Sequence, residues 1–131
     1  MSFDPRLVDL VMRLRSRGIS DARTLRVIEQ VPRKTFIAAE FSKQAYEDMA
    51  LPIACGQQIS APMTTALMMQ MLAVTDGSKV LEIGSGSGWM SGMLAQLCRR
   101  VYAVERYVAL VEGAEARLRT MGMHNAEIRH G

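Results

Sequence analysis

The chain has 131 residues, of which 49% are hydrophobic and 22% are charged, a composition typical of one globular domain and not of a disordered segment. Its formal net charge is +3, but the basic residues are scattered and are not interleaved with aromatic residues. We therefore interpret them as a solvated surface in preference to a nucleic-acid footprint. No apolar run approaches the roughly 20 residues needed to cross a bilayer, so no membrane association is expected.

The cysteines and histidines give no indication of disulfide or metal chemistry. Cys55 and Cys98 lie far apart and form neither a CxxC motif nor a metal-spaced pair, so we expect two reduced thiols in a cytoplasmic protein. His124 and His130 are too isolated to indicate a metal or catalytic site. The N-terminus carries Asp4 and an arginine-bearing periodic segment, unlike the basic start and apolar core of a signal peptide.

Two helices are predicted in the N-terminal part of the chain. The first spans about residues 5–17 and is stopped by Gly18. The second begins at a cap provided by Ser20 or Asp21 and ends before Pro32. The residues expected to face inward are Leu7, Val11, Leu14, Leu25, Ile28 and Val31. We favour a packing role for both helices over a substrate-covering role, because no residue in them is chemically distinctive.

A loop and a methionine-rich helix come next. Residues 51–62 form an extended, turn-rich loop with little helical or strand character, and functional residues are often found on such loops. A helix is predicted at about residues 62–73, where apolar side chains recur at helical spacing. These side chains are Met63, Ala66, Leu67 and Met71. We favour core filling by the methionines over an adaptable binding surface.

Strands and helices alternate in the second half of the chain. An apolar run at 79–83 meets three alternating glycines, a helical pattern follows at 89–97, and a second apolar run occupies 101–105. A further helix is predicted at about 108–121 and a third strand at 126–130. Right-handed crossovers would place these three strands in the order 3-2-1, with all of them parallel.

The three glycines, Gly84, Gly86 and Gly88, follow a GxGxG spacing. Glycine lets the backbone bend sharply and lets a ligand approach it, and the next helix offers unpaired amide donors. Glu105 ends the second strand, where its carboxylate can accept two hydrogen bonds from the hydroxyls of a ribose. The pattern predicts a site for a nucleoside-bearing cofactor. The alternatives are a glycine-rich connection without a ligand and a dinucleotide loop, whose third glycine would fall at Trp89.

With these residues in view, the chain resembles the protein-L-isoaspartate O-methyltransferases, which use S-adenosyl-L-methionine. The resemblance rests on five segments: AYED at 45–48, LPI at 51–53, GQQISAP at 56–62, VLEIGSGSG at 80–88 and VYAVER at 101–106. The first three lie outside the generic cofactor-binding fold. They therefore distinguish this family from other class I methyltransferases.

The resemblance implies an α/β, Rossmann-like class I methyltransferase fold with N-terminal helices and the first half of a doubly wound sheet. We expect a single domain, in which residues 1–75 form the helical and substrate-loop region and residues 76–131 the first part of the cofactor-binding unit. The serine of the segment at 56–62 is catalytic in the family and maps to Ser60. The residues expected to contact the cofactor are Glu82, Gly84, Ser85, Gly86, Gly88, Glu105 and Arg106.

Two of these residues keep a second interpretation. Glu82 either positions the amino-acid end of the cofactor or accepts a backbone hydrogen bond. Ser60 either orients the substrate carboxylate by hydrogen bonding or caps the helix that begins at Pro62. Neither alternative is excluded by the sequence.

The implied reaction is methyl transfer from S-adenosyl-L-methionine to the α-carboxylate of L-isoaspartyl residues in damaged proteins, which is a protein-repair activity. Three alternatives remain: a related methyltransferase with another acceptor, an inactive truncated fragment that oligomerises, and a dehydrogenase. The partners expected are isoaspartyl-containing proteins or peptides, and neither nucleic acid nor a membrane.

The family sequences continue past the position of Gly131 with an Asp-Gly turn that contacts adenine and with further strands. At about 30 residues per βαβ unit, residues 76–131 supply only about half of the expected sheet. We therefore expect a C-terminally truncated form of a longer enzyme, in which the strand at 79–83 is an open apolar edge. Such an edge favours self-association.

Overall fold

The computed structural model describes residues 4–131, and these residues form the predicted α/β fold. The α-helices in this part are α1 (Pro5–Ser16), α2 (Ala22–Gln30), α3 (Pro62–Leu72), α4 (Trp89–Leu97) and α5 (Val108–Thr120). The strands are β1 (Leu51–Pro52), β2 (Gln58–Ile59), β3 (Lys79–Ile83), β4 (Arg100–Glu105) and β5 (Ala126–His130). Three short 3-10 helices lie at Arg33–Phe36, Ala39–Gln44 and Ala54–Gly56.

The main sheet contains β3, β4 and β5 in that spatial order, with parallel pairing throughout. Val80 of β3 pairs with Val101 of β4, which pairs in turn with Ala126 of β5. Parallel neighbours need crossover connections, and α4 and α5 supply them. The predicted strand order and the predicted strand at residues 126–130 are both confirmed.

The sheet has one buried face and one bare face. Val101 and Ala103 are buried, whereas Leu81 and Ile83 are 65% and 77% exposed. Successive side chains of a strand point to opposite faces, so this alternation separates a helix-covered side from an open one. Within residues 4–131, β3 pairs only with β4. The predicted open edge at β3 is therefore present, and it adjoins an open apolar face.

The two N-terminal helices pack into the core, which confirms the favoured interpretation. α2 contacts α1, α3 and α4, and its side chains at Leu25 and Ile28 are buried. Asp21, and not Ser20, caps α2, because the Asp21 carboxylate accepts a hydrogen bond from the Arg23 amide. The Ser20 amide instead donates to Gln70 of α3 at 2.8 Å.

The core-filling interpretation of the methionine-rich helix is wrong for half of α3. Ala66 and Met69 are buried, but Met68 and Met71 are 54% and 76% exposed. The helical period is correct, yet α3 packs on α2 with one side only, and its other side continues the bare face of the sheet. The exposed apolar side chains of this surface are Leu67, Met68, Met71, Leu72, Leu81 and Ile83.

The turn-rich loop at residues 51–62 also contains more regular structure than the sequence indicates. β1 and β2 form a two-stranded antiparallel hairpin, in which Leu51 pairs with Ile59. Both of these side chains are buried. Cys55 at the hairpin tip has a positive φ of 62°, a conformation that is uncommon for a residue other than glycine.

Both cysteines are unpaired, and the α-helices of residues 4–131 are short. Cys55 and Cys98 are both free thiols, the first exposed and the second buried. Within the described part of the chain, no helix has both the length and the apolarity that a membrane span requires.

Candidate functional site

A cavity of about 390 Å³ opens where β3 ends. Its walls come from α3, from the end of the β1–β2 hairpin, from β3 with the glycine turn, and from the start of α4. Of the predicted site residues, the cavity brings together Ser60, Glu82, Gly84, Ser85 and Gly86. It has the position expected of a ligand site in an open α/β sheet, at the carboxyl end of a strand.

The glycines of the turn adopt conformations that other residues rarely take. Gly84, Gly86 and Gly88 have φ values of 86°, 55° and 102°, in the left-handed region that glycine enters without a steric penalty. A Cβ added to Gly88 would lie 3.0 Å from the Cβ of Ala114, so this glycine also permits close packing of α5. A Cβ added to Gly84 would meet no atom within 4 Å. Gly84 therefore leaves open space beside the backbone, while Gly88 serves packing outside the cavity.

Glu105 holds the glycine turn in place. Its side chain is 6% exposed, and its two carboxylate oxygens accept hydrogen bonds from the amides of Gly86 and Tyr107, at 2.9 and 3.0 Å. The carboxylate does not line the cavity. Each oxygen keeps a lone pair for one more donor, so the predicted contact with ribose hydroxyls stays a prediction. The structure shows a further role for Glu105, because its hydrogen bonds hold the glycine turn in its conformation.

Glu82 lies on the wall of the cavity and pairs with a side chain. The Ser91 hydroxyl of α4 donates a short hydrogen bond to its carboxylate, so the interpretation of Glu82 as an acceptor of a backbone hydrogen bond is wrong for this structure. Burial raises the pKa of Glu82 to about 7, the Ser91 hydrogen bond opposes the rise, and the Glu105 carboxylate adds to it. Glu82 is therefore a carboxyl group that titrates near neutral pH inside the cavity.

Two serines of the glycine turn differ in their hydrogen bonding. Ser85 donates from its hydroxyl to the Gly86 carbonyl at 3.3 Å. The Ser87 hydroxyl is buried on the cavity wall and finds no partner among residues 4–131. Buried polar groups are nearly always hydrogen-bonded, so Ser87 has an unused donor and acceptor there. The sequence analysis did not select Ser87, although it lies within the glycine motif.

Arg106 lies away from the cavity. Its side chain is exposed, and its guanidinium stacks over the Tyr107 ring at 5.7 Å from the ring centre. Its carbonyl oxygen lies 3.0 Å from Nε2 of His130. The predicted cofactor contact of Arg106 therefore has no support from its position and stays a prediction.

Ser60 follows β2 and lines the same cavity as the glycine turn. The interpretation of Ser60 as the cap of α3 is wrong: Ala61 is the N-cap residue, and Asp48 provides the cap by accepting the Met63 amide at 2.9 Å. The Ser60 side chain is exposed, and within residues 4–131 its hydroxyl makes no hydrogen bond. The hydroxyl is therefore available to a ligand.

A buried arginine that the sequence analysis did not select supports the Ser60 loop. Arg33 is 1% exposed, and its guanidinium donates to the carbonyls of Ala45, Met49 and Ser60, at 3.1, 2.6 and 3.0 Å. Burial lowers its pKa to about 10, so the group stays protonated at neutral pH. In the sequence it followed a helix-ending proline and gave no signal beyond that of a surface cation.

Comparisons with known proteins cover the loop region as well as the sheet. The sequence profile of the protein-L-isoaspartate(D-aspartate) O-methyltransferase (PCMT) family matches residues 6–131. The protein-L-isoaspartate O-methyltransferase of Rhodospirillum rubrum is 52% identical over 128 residues, and that of Maricaulis maris is 51% identical. Both alignments cover 98% of this chain but 58% and 60% of the relatives. The chain thus spans less than two thirds of their length.

Solved structures give the same result. A protein-L-isoaspartate O-methyltransferase superposes with a TM-score of 0.85 at 25% identity, over 95% of this chain and 42% of that one. A putative member from Plasmodium falciparum, solved in complex with S-adenosyl-L-homocysteine, has a TM-score of 0.79 at 27% identity, over 94% of this chain and 62% of that one. The chain therefore belongs to the protein-L-isoaspartate(D-aspartate) O-methyltransferase family.

Proposed function

We propose that this chain carries the S-adenosyl-L-methionine site and the substrate loop of an enzyme that methylates L-isoaspartyl residues in damaged proteins. The observation that carries the proposal is the cavity that is lined both by Ser60 of the loop and by the glycine turn. The relatives from Rhodospirillum rubrum and Maricaulis maris bear the name of this activity. Their greater length makes the activity of the whole protein part of the proposal.

The residues of the cavity fit the proposed cofactor. At the glycine turn, the space beside Gly84 is open to a ligand, and the unpartnered hydroxyl of Ser87 can hydrogen-bond to it. Glu82 lines the cavity, and its proposed role is to accept a hydrogen bond from the ammonium of the amino-acid end. Glu105 has lone pairs left for the ribose. The Plasmodium falciparum relative was solved with S-adenosyl-L-homocysteine, which supports a ligand of this class. When bound, S-adenosyl-L-methionine supplies an activated methyl group on a sulfonium.

The role proposed for Ser60 is to orient the acceptor. A carboxylate is already ionised at neutral pH, so the reaction needs no strong general base. The Ser60 hydroxyl can donate a hydrogen bond to one carboxylate oxygen and leave the other oxygen to attack in line. Rate acceleration would then come mainly from holding the two reactants in that geometry.

The proposed setting is the cytoplasm, and the proposed partners are proteins or peptides that contain isoaspartate. Two free thiols support a reducing compartment. We also propose that the bare surface of α3 and β3 allows this chain to form homo-oligomers, because large exposed apolar patches mark association sites.

A methylation assay with paired peptides tests the proposal. Two peptides of the same sequence, one with L-isoaspartate and one with L-aspartate, are incubated with the chain and methyl-labelled S-adenosyl-L-methionine. We expect labelled methyl ester on the isoaspartyl peptide only. Equal labelling of both peptides would indicate a methyltransferase with another acceptor, and no labelling by a chain that binds the cofactor would contradict the activity of this chain.

A further inference from the structure

We infer that Arg33 is the positioning residue of the Ser60 loop, by which we mean residues 45–60. It holds Ser60 in place on the cavity wall and does not line the cavity itself. The inference rests on the proposed function for its catalytic consequence. Its structural part rests only on the contacts of the Arg33 guanidinium, which join two separate stretches of the loop to the start of α4.

The two terminal nitrogens of Arg33 bind both ends of the loop. Nη1 donates to the carbonyls of Ala45 and Glu47, at 3.1 and 3.4 Å. Nη2 donates to the carbonyls of Met49 and Ser60, at 2.6 and 3.0 Å. One planar group thus ties the irregular segment at residues 45–49, before the β1–β2 hairpin, to Ser60 after it. The position of the Ser60 backbone is set directly by one of these bonds.

The charge of Arg33 is held without an ion pair. No carboxylate oxygen of residues 4–131 lies within 4.0 Å of its guanidinium, although Asp48 is near enough to favour the charged form. A buried charge is costly unless it is well hydrogen-bonded, and here the loop carbonyls bind Nη1 and Nη2, while Nε has no partner among residues 4–131. If the loop opened, the buried cation would lose these acceptors. Loop and arginine are therefore mutually dependent.

Arg33 also contacts the glycine-turn side of the cavity. Its guanidinium lies over the Trp89 ring, 5.5 Å from the ring centre, and Trp89 is the first residue of α4, directly after Gly88. The Trp89 indole donates to the Val31 carbonyl at 3.0 Å, which fixes the ring. Contacts of Arg33 with Ser60 and with Trp89 thus link the position of the loop to that of the glycine turn.

Lysine cannot replace this arrangement. Its ammonium is a single compact donor group, whereas the arginine fork directs separate N–H groups in one plane. Arg33→Lys keeps the charge but is expected to lose at least one end of the loop. The control is Arg23→Lys, because Arg23 also donates to two backbone carbonyls, those of Val74 and Leu97, and makes no hydrogen bond to residues 45–60. It differs from Arg33 in its ion pair with Asp76 at 2.7 Å.

The experiment compares wild type, Arg33→Lys and Arg23→Lys of the full chain. Amide hydrogen exchange is followed at residues 45–61, S-adenosyl-L-homocysteine affinity is measured by calorimetry, and kcat is measured on the isoaspartyl peptide. We expect Arg33→Lys to speed exchange in the loop by at least about tenfold. We also expect kcat to fall on the order of 10- to 100-fold, with the affinity unchanged within about twofold. Arg23→Lys should leave exchange of the loop and kcat as in wild type.

The outcomes separate this inference from the proposed function. Unchanged loop exchange in Arg33→Lys would overturn the inference, and so would a kcat loss matched by an equal loss of cofactor affinity. A wild-type chain with no turnover would count against the proposed function, and hydrogen exchange would then decide the inference alone. If Arg33→Lys does not fold, Arg33→Gln, which buries no charge and offers one amide nitrogen in place of the guanidinium fork, replaces it with the same expectations.

Discussion

The two walls of the cavity are held by opposite chemistry. On the sheet side, the buried carboxylate of Glu105 accepts the backbone amides of Gly86 and Tyr107. On the loop side, the buried guanidinium of Arg33 donates to backbone carbonyls, including that of Ser60. An anion therefore organises the sheet side and a cation organises the loop side. We call these sides the cofactor wall and the substrate wall after the ligands proposed for them. The separation implies that one wall can be damaged while the other keeps its function.

The largest effect is expected when the anion is removed from the cofactor wall. Glu105→Ala leaves two partly buried amide donors without an acceptor, which should lower the free energy of unfolding by about 3 kcal/mol. S-adenosyl-L-homocysteine affinity should fall about 100-fold, equivalent to about 2.7 kcal/mol. Glu112→Ala, at an exposed position of α5, is the control. If Glu105→Ala binds S-adenosyl-L-homocysteine within a few-fold of wild type by calorimetry, Glu105 does not organise the cofactor wall.

On the substrate wall, Ser60→Ala should separate turnover from binding. We expect kcat on the isoaspartyl peptide to fall about 100-fold, since one oriented donor is lost, while S-adenosyl-L-homocysteine affinity stays within about twofold of wild type. The control is Thr64→Ala, which removes an exposed hydroxyl of α3 outside the cavity. An equal loss of turnover and of cofactor affinity would contradict the proposed role of Ser60 in orienting the acceptor carboxylate.

Glu82 should make the stability of the cofactor wall depend on pH, because it is a second buried carboxyl group on that wall. Its folded-state pKa of about 7 lies above the ordinary glutamate value of 4.5, so its contribution to stability is complete below pH 4.5 and is lost as the pH rises through 7. Glu82→Gln removes this loss. Relative to wild type, the variant should gain up to about 3 kcal/mol between pH 4.5 and pH 8.

Urea unfolding at pH 4.5, 6 and 8 measures that gain. Ser91→Ala is the informative companion, because it removes the hydrogen bond that opposes the rise in the pKa of Glu82. We expect the pH-dependent loss of stability to extend to higher pH in Ser91→Ala. Parallel pH profiles for wild type and Glu82→Gln would show that Glu82 does not titrate in this range.

The smallest effect on stability is expected on the exposed apolar face of β3, where Ile83 also lines the cavity. Ile83→Lys places a charge where the side chain is 77% exposed, so the free energy of unfolding should change by less than about 0.5 kcal/mol. Self-association should weaken, because a charged edge strand resists pairing. Gln96→Lys adds the same charge at an exposed position of α4. Sedimentation of both variants at equal concentration measures the difference, and equal masses would contradict an interface at β3.

The cofactor wall could be predicted from the sequence because its signals are local. The apolar runs, the glycine spacing and the acid that ends β4 lie within one strand, helix, strand unit, and each element was predicted to within one residue. The role of Glu105 in holding the Gly86 amide was not predicted, since a hydrogen bond to the turn leaves no mark on periodicity. Local pattern thus specifies the elements and not the polar contacts between them.

The substrate wall could be predicted only in part. Its loop and Ser60 were identified through the family resemblance, but the cap of α3 is Asp48, which lies 15 positions before the amide it accepts. Arg33 reaches carbonyls 12 to 27 positions away. Likewise, the helical period of α3 gives the helix but not which side finds a neighbour, so the exposure of Met71 was missed. Long-range contacts decide all three features.

The central claim is that the cavity at the end of β3 is an S-adenosyl-L-methionine site, and calorimetric titration of the chain with S-adenosyl-L-homocysteine tests it most directly. The mass of the chain in solution is recorded in the same sample, and a titration with NAD serves as the control ligand. We predict saturable one-to-one binding of S-adenosyl-L-homocysteine and no binding of NAD. A folded sample that gives no heat with S-adenosyl-L-homocysteine would contradict the claim for this chain.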